Sequence, residues 1–139
     1  MQRRVVIPRL SLLAVAAALI AGFTACGSSG ATAPGLTAAD LVGSYNLVSL
    51  TLGNSDPLTP PTATGVLTLT LTNYNVALNL PSGAEADSGT WTVSGNNWTQ
   101  TSSVQDIQEA GTVSLSHDTL AVNVNVAGTP IANIWVKQQ

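Results

Sequence analysis

The stretch Gly65-Val-Leu-Thr-Leu-Thr-Leu-Thr-Asn-Tyr-Asn-Val-Ala-Leu-Asn-Leu80 alternates apolar and polar residues twice, in opposite phase. Leu67, Leu69 and Leu71 fall on one face of an extended chain, with threonines opposite. Tyr74, Val76, Leu78 and Leu80 also share a face, but at even positions. Side chains alternate along a strand with a period of two, and a slip of one residue would turn the apolar set away from the core. One continuous strand therefore cannot bury both sets. The stretch reads as two antiparallel strands, with Asn73 marking a tight turn or a bulge between them.

The same texture extends in both directions. Upstream, Gly43 to Gly53 reads as a first strand with Tyr45, Leu47 and Ser49 on one face. Thr37-Ala-Ala-Asp40 has the chemistry to cap one short helical turn before it. Asn54 to Thr64 carries Pro57, Pro60 and Pro61 and reads as a loop, because proline cannot donate to a ladder. Downstream, Pro81 to Asp87 reads as another loop. Ser88 to Ser102 follows as a hairpin around Gly95-Asn96, which tolerate positive φ. Gly111 to Val126 is a second hairpin, turning at His117-Asp118. After Gly128-Thr-Pro130 a last strand runs to Lys137, with Ala132, Ile134 and Val136 on the inner face and Trp135 outward. Segment 103–110 reads equally as a loop or as a weak helical turn begun by Ser103 and Asp106.

These elements predict an all-β domain over 37–139, with about eight short antiparallel strands joined by successive hairpins. Closure into an up-and-down barrel removes exposed sheet edges, which this lysine-poor chain has little charge to protect.

The N-terminus has a different character. Arg3, Arg4 and Arg9 are three of the four cationic residues in the chain. The apolar run Leu10–Ala25 behind them falls short of the roughly 20 residues that cross a hydrocarbon core of about 30 Å. A basic start, a short apolar stretch and small residues at its exit describe a secretion signal over 1–25. Phe23-Thr-Ala-Cys26 resembles the lipobox of bacterial lipoproteins. That resemblance implies cleavage before Cys26, whose sulfur then carries diacylglycerol. Cys26 has no partner cysteine for a disulfide, and its surroundings offer no base to make it a catalytic thiol. Residues 26–36, small and uncharged, read as a flexible tether. Gly27 after the cysteine resembles lipoproteins sent to an outer membrane, facing the periplasm or the cell surface.

Beyond the signal, seven carboxylates are opposed by Lys137 alone. Nucleic-acid binding needs clustered Lys and Arg to neutralise phosphates, and an electrostatic grip on anionic lipid needs the same. Both are excluded. The membrane contact expected is the acyl chain, at about 0.8 kcal/mol per buried methylene.

The order of Gly43-Ser-Tyr45-Asn-Leu47, Gly65-Val-Leu-Thr-Leu69, Gly89-Thr-Trp-Thr-Val-Ser-Gly95, Gly111-Thr-Val-Ser-Leu115 and Asp118-Thr-Leu-Ala-Val122 resembles bacterial lipocalin-like lipoproteins. These are small calycin-type barrels of mostly uncharacterised function. The resemblance spans residues 39 to 137. It implies structural roles for Gly43, Tyr45 and Lys137, with the lysine packing across the tyrosine ring at the closed end of the barrel.

Little catalytic chemistry is legible. His117 is the only histidine, and one histidine in a Ser-His-Asp-Thr turn does not make a metal site. Glu85 and Asp87 read as a solvated loop. No metal, cofactor or enzymatic activity is expected. An eight-stranded barrel is just wide enough to be filled by side chains or to hold one small ligand. The expected lining is aliphatic: Leu67, Leu69, Leu71, Val76, Leu78, Val93, Leu115, Val122, Val124 and Ile134. The leading expectation is a lipid-anchored envelope barrel that binds a small apolar ligand. The alternative is a closed, fully packed barrel that serves as a structural module or docks an envelope protein, with Trp98 or Trp135 as candidate surface aromatics.

Overall fold

The computed structural model describes residues 35–139; the signal segment, Cys26 and the tether up to residue 34 lie outside the described residues. A short helix, α1 (Ala38–Leu41), is followed by β1 (Gly43–Leu52), β2 (Thr64–Leu69), β3 (Asn73–Leu80), β4 (Gly83–Ser94), β5 (Asn97–Ser102), β6 (Gln108–Ser116), β7 (Thr119–Val126) and β8 (Thr129–Lys137). Each strand pairs with the next, and β8 returns to pair antiparallel with β1, so the sheet closes as an eight-stranded up-and-down barrel.

The phase switch that opened the sequence reading is a turn. Leu69 pairs with Tyr74, and the Thr70 backbone N–H donates to the Asn73 carbonyl at 2.9 Å. The Asn73 N–H in turn donates to Thr70 Oγ1 at 3.0 Å. The turn takes Leu71 out of the strand. It is 62 % exposed at the apex and lines nothing, contrary to the sequence expectation.

Three other readings are corrected by the ladder. β4 begins at Gly83 rather than after a loop ending at Asp87, because Leu78 pairs with Glu85 and Val76 with Asp87. Satisfied backbone groups outweigh the low strand propensity of Gly-Ala-Glu-Ala-Asp. In β1, the register shifts between Leu47 and Ser49, which pair with Trp135 and Ile134 respectively. That bulge carries Leu50 inward, at 2 % exposure, in the place expected for Ser49. In β8 the phase is inverted: Trp135 is buried, while Ile134 and Val136 are 39 % and 37 % exposed. Burying an indole removes more apolar surface from water than burying one branched aliphatic side chain, and the large ring takes the inner face. Segment 103–107 forms a turn, with Ser102 Oγ accepting from the N–H groups of Val104 and Gln105 at 3.2 and 3.0 Å.

The two ends of the barrel differ. One end carries the β2–β3, β4–β5 and β6–β7 turns and is closed by α1. The Tyr45 hydroxyl donates to the Leu41 carbonyl at 2.8 Å, and both residues are fully buried. Lys137, paired with Tyr45 across the ladder, places Nζ 5.8 Å from the ring centroid, within reach of a cation–π contact worth about 0.5–2 kcal/mol. Gly43 makes room for it, since a Cβ there would lie 2.7 Å from Lys137 Cε. Asp40 Oδ2 accepts from the Thr37 N–H at 2.8 Å and fixes the start of α1. Above this lid the Trp91 and Trp98 rings stack at 4.8 Å, and Trp91 Nε1 donates to the Thr70 and Asn73 carbonyls.

Curvature is bought with glycine. Gly89 and Gly111 sit where the backbones of β5 and β7 approach so closely that a Cβ would collide with the Thr101 and Asn123 carbonyls. Gly111→Ala is therefore expected to destabilise the domain by about 1–3 kcal/mol, as overpacking does. Thermal unfolding would show a midpoint lower by on the order of 4–8 °C per kcal/mol. An unchanged midpoint would contradict the close approach.

Candidate functional site

Away from the α1 lid the side chains no longer meet. A cavity of about 360 Å³ occupies the half of the barrel that carries the β1–β2, β3–β4, β5–β6 and β7–β8 connections. It reaches solvent beside Leu52, Ser82 and Glu85, all exposed. Its floor is made by Tyr74, Trp98 and Trp135, each less than 5 % exposed.

Of the ten side chains expected to line an interior space, Leu67, Val76, Leu78, Val122 and Val124 stand on this cavity wall. Leu69, Val93 and Leu115 lie in or against the packed core and are not on the wall. Leu71 and Ile134 face outward. Leu50, Leu52, Leu80, Val126 and Ile131 complete the aliphatic side.

The wall is not wholly aliphatic, as the sequence reading had it. Asp87 and Glu85 project inward from β4, Gln100 from β5 and Glu109 from β6. Asp87 is held by three donors: the Tyr74 hydroxyl at 2.7 Å, the Ser102 hydroxyl at 2.6 Å and the Ser88 backbone N–H at 2.9 Å. A second relay runs from Trp98 Nε1 to Gln100 Oε1 at 2.8 Å and from Gln100 Nε2 to Glu109 Oε2 at 2.7 Å. Burial, assisted by the hydrogen bond to Asp87 and its charge, raises the Tyr74 pKa and keeps its hydroxyl a donor. Burial also raises the pKa of Glu109; the Gln100 hydrogen bond opposes this and the Asp87 charge adds to it.

Trp98 and Trp135 are thus interior residues and not surface aromatics. His117 and Asp118 sit on the exposed β6–β7 turn, at the opposite end from Glu85 and Asp87, and these groups do not converge. The polar wall was nonetheless readable. Positions 85 and 87 share the strand phase of Trp91 and Val93, position 100 that of Trp98, and position 109 that of Val113 and Leu115.

A closed meander of eight strands is the lipocalin type of barrel in architecture. No protein-family model matches the chain, and no curated protein matches it in sequence. Among solved structures it is similar to a redesigned β-barrel, with TM-score 0.52 and 13 % identity over 74 % of this chain and 96 % of that one. It is also similar to a lipocalin-like protein from Bacteroides uniformis, with TM-score 0.49 and 16 % identity over 71 % and 99 % of the two chains. A de novo designed fluorescence-activating β-barrel matches with TM-score 0.47 and 17 % identity, over 73 % of this chain and 96 % of that one. The likeness is one of fold.

The raised Glu109 pKa has a consequence for stability. Between the unfolded value near 4.5 and the higher folded value, the native state binds more protons than the unfolded state. Stability therefore falls as pH rises through that window, and the ionised carboxylate is a cost at neutral pH. Glu109→Gln, which keeps an acceptor for Gln100, is expected to raise the urea midpoint at pH 7. The gain should shrink as pH approaches 4.5. A variant less stable than the parent at pH 7 would overturn this reading of the site.

Proposed function

We propose that this protein is a lipid-anchored protein of the bacterial envelope whose barrel binds a small, mainly apolar molecule through its open end. The observation that carries the binding half is the 360 Å³ cavity above a packed aromatic floor. Its volume falls in the range of about 300–1,000 Å³ typical of small-ligand sites, and its mixture of apolar wall and few polar groups is typical too. The fully packed alternative describes the α1 end of the barrel but not the other half. The anchor rests on the lipobox-like Phe23-Thr-Ala-Cys26 and the tether after it. The membrane contact is then the acyl group on Cys26, and the location an outer membrane facing the periplasm, or the cell surface. An envelope protein partner fits the same address.

The reading is of binding without catalysis. Asp87 is committed to Tyr74, Ser102 and its own strand, and His117 lies at the far end of the barrel. Geometry of this kind holds a ligand; it does not pair a nucleophile with a base.

The neutral fluorophore N-phenyl-1-naphthylamine is expected to brighten on entering the cavity and to add its mass to the full chain in native mass spectrometry. Val124→Trp, which grows a side chain into the empty space, should weaken that binding at least about tenfold, or about 1.4 kcal/mol. No brightening and no mass shift would sink the binding proposal. Equal binding by the variant would place the probe elsewhere.

The anchor is tested separately. Cells expressing the full chain and fed radiolabelled palmitate should label the protein, and Cys26→Ser should abolish the label. Label retained by that variant would refute lipidation at Cys26.

A further inference from the structure

The cavity is chemically lopsided. β7, β8, β1 and β2 present aliphatic side chains, Trp135 and one amide, Asn133, whereas β4, β5 and β6 present Glu85, Asp87, Gln100 and Glu109. Three carboxylates thus share one small space. The single cationic side chain among the described residues, Lys137, lies at the other end, against Gly43 and Tyr45.

The hydrogen bonds have a direction as well as partners. Tyr74 and Ser102 donate to Asp87, while Trp98 donates to Gln100 and Gln100 to Glu109. The Tyr74 and Ser102 hydroxyls, the Trp98 indole N–H and one N–H of Gln100 are thus turned to acceptors inside the protein, and each chain ends on a carboxylate. Both Asp87 oxygens are engaged. Glu109 accepts one bond, at Oε2, and its second oxygen accepts none among the described residues. The wall therefore offers negative charge and an open acceptor, and has no cation of its own to answer them. A carboxylate beside apolar surface is costly unless it is paired.

We infer that the ligand is a cationic amphiphile, an apolar body carrying a protonated amine that Glu109 receives beside Asp87, and that the cavity discriminates against fatty-acid-like anions. This inference rests on the cavity being a binding site, as proposed above. The aliphatic arc takes the body of the molecule. Trp98 and Trp135 close the floor beneath it with aromatic rather than charged groups. A metal ion is a poorer fit, because the three carboxylates line the cavity without converging: no three His, Cys, Asp or Glu side chains among the described residues lie close enough to hold one. An anion of the same shape would have to set its charge among Glu85, Asp87 and Glu109, or leave it in solvent outside the mouth.

Three probes of equal chain length separate the terms: decylamine, decanol and decanoate, titrated at pH 7 into the full chain and followed by tryptophan fluorescence and calorimetry. Decylamine, protonated at that pH, should bind at least about tenfold more tightly than decanol, as a charge-assisted hydrogen bond allows. Decanoate should bind most weakly. Glu109→Gln should bring decylamine down to the level of decanol. Decanol and decanoate binding as well as decylamine would overturn the charge preference while leaving the cavity a binding site. So would a decylamine preference that survives Glu109→Gln, because Glu109 would then not be the receiving group. Failure of all three probes to bind would instead overturn the binding proposal itself, and this inference with it.

Discussion

Everything in this fold depends on β8 meeting β1. A meander of eight strands leaves two unpaired edges until its first and last strands join, and each edge is a row of unsatisfied N–H and C=O groups. The join runs from Tyr45 opposite Lys137 to Leu52 opposite Ile131. Its two ends are handled differently. Near Tyr45 the seam is pinned by side chains: the hydroxyl reaches Leu41 on α1, and the lysine stem crosses the ring where Gly43 leaves space. Further along, the bulge between Leu47 and Ser49 lets one strand carry an extra residue, which adds local bend and returns Leu50 to the interior.

Closure also divides the interior. The α1 end is filled by large rings and aliphatic side chains that satisfy one another, with Trp91 and Trp98 stacked and every indole N–H of that pair engaged. The other end keeps a hollow, and the polar groups of the barrel interior are concentrated there. Close packing is kept at one end and given up at the other, where carboxylates stand beside apolar surface, although no buried side-chain polar atom among the described residues lacks a partner. Natural proteins give up close packing chiefly where function requires it, and they offset the cost elsewhere in the fold. The packed half is where that offset resides.

Much of the fold was legible because a period of two leaves so little freedom. The switch of phase between Leu69 and Tyr74 announces a turn without any structural information, and the same logic locates most of the hairpins. What failed did so for local physical reasons. Leu71 reads as part of the strand because nothing in Leu-Thr-Leu-Thr shows where pairing stops; the turn decides it. Gly83-Ala-Glu-Ala-Asp87 lacks the branched and aromatic residues that mark strands, so its ladder with β3 could not be seen from composition. The inversion at Trp135 is different in kind, for it was decidable. Lys137 cannot pack on Tyr45 from the inner face while Ile134 also faces inward, since they differ in parity. Tyr45 and Lys137 together require Trp135 inside.

Parity also governs the polar wall. Apolar residues announce the phase of each strand, whereas the polar residues that share it carry no such signal of their own. Carried back from Trp91, it places Asp87 and Glu85 inside; carried back from Val113, it places Glu109 inside. A carboxylate in such a position looks like a solvated loop residue only if the strand is assumed to have ended. In a barrel the strand has no reason to end there, because the neighbouring strand still needs partners for its backbone. Backbone demand therefore draws these acids into the ladder, and parity then turns them toward the cavity. The chemistry of the site is in this sense a consequence of closure, with composition deciding only which charges the geometry brings inside.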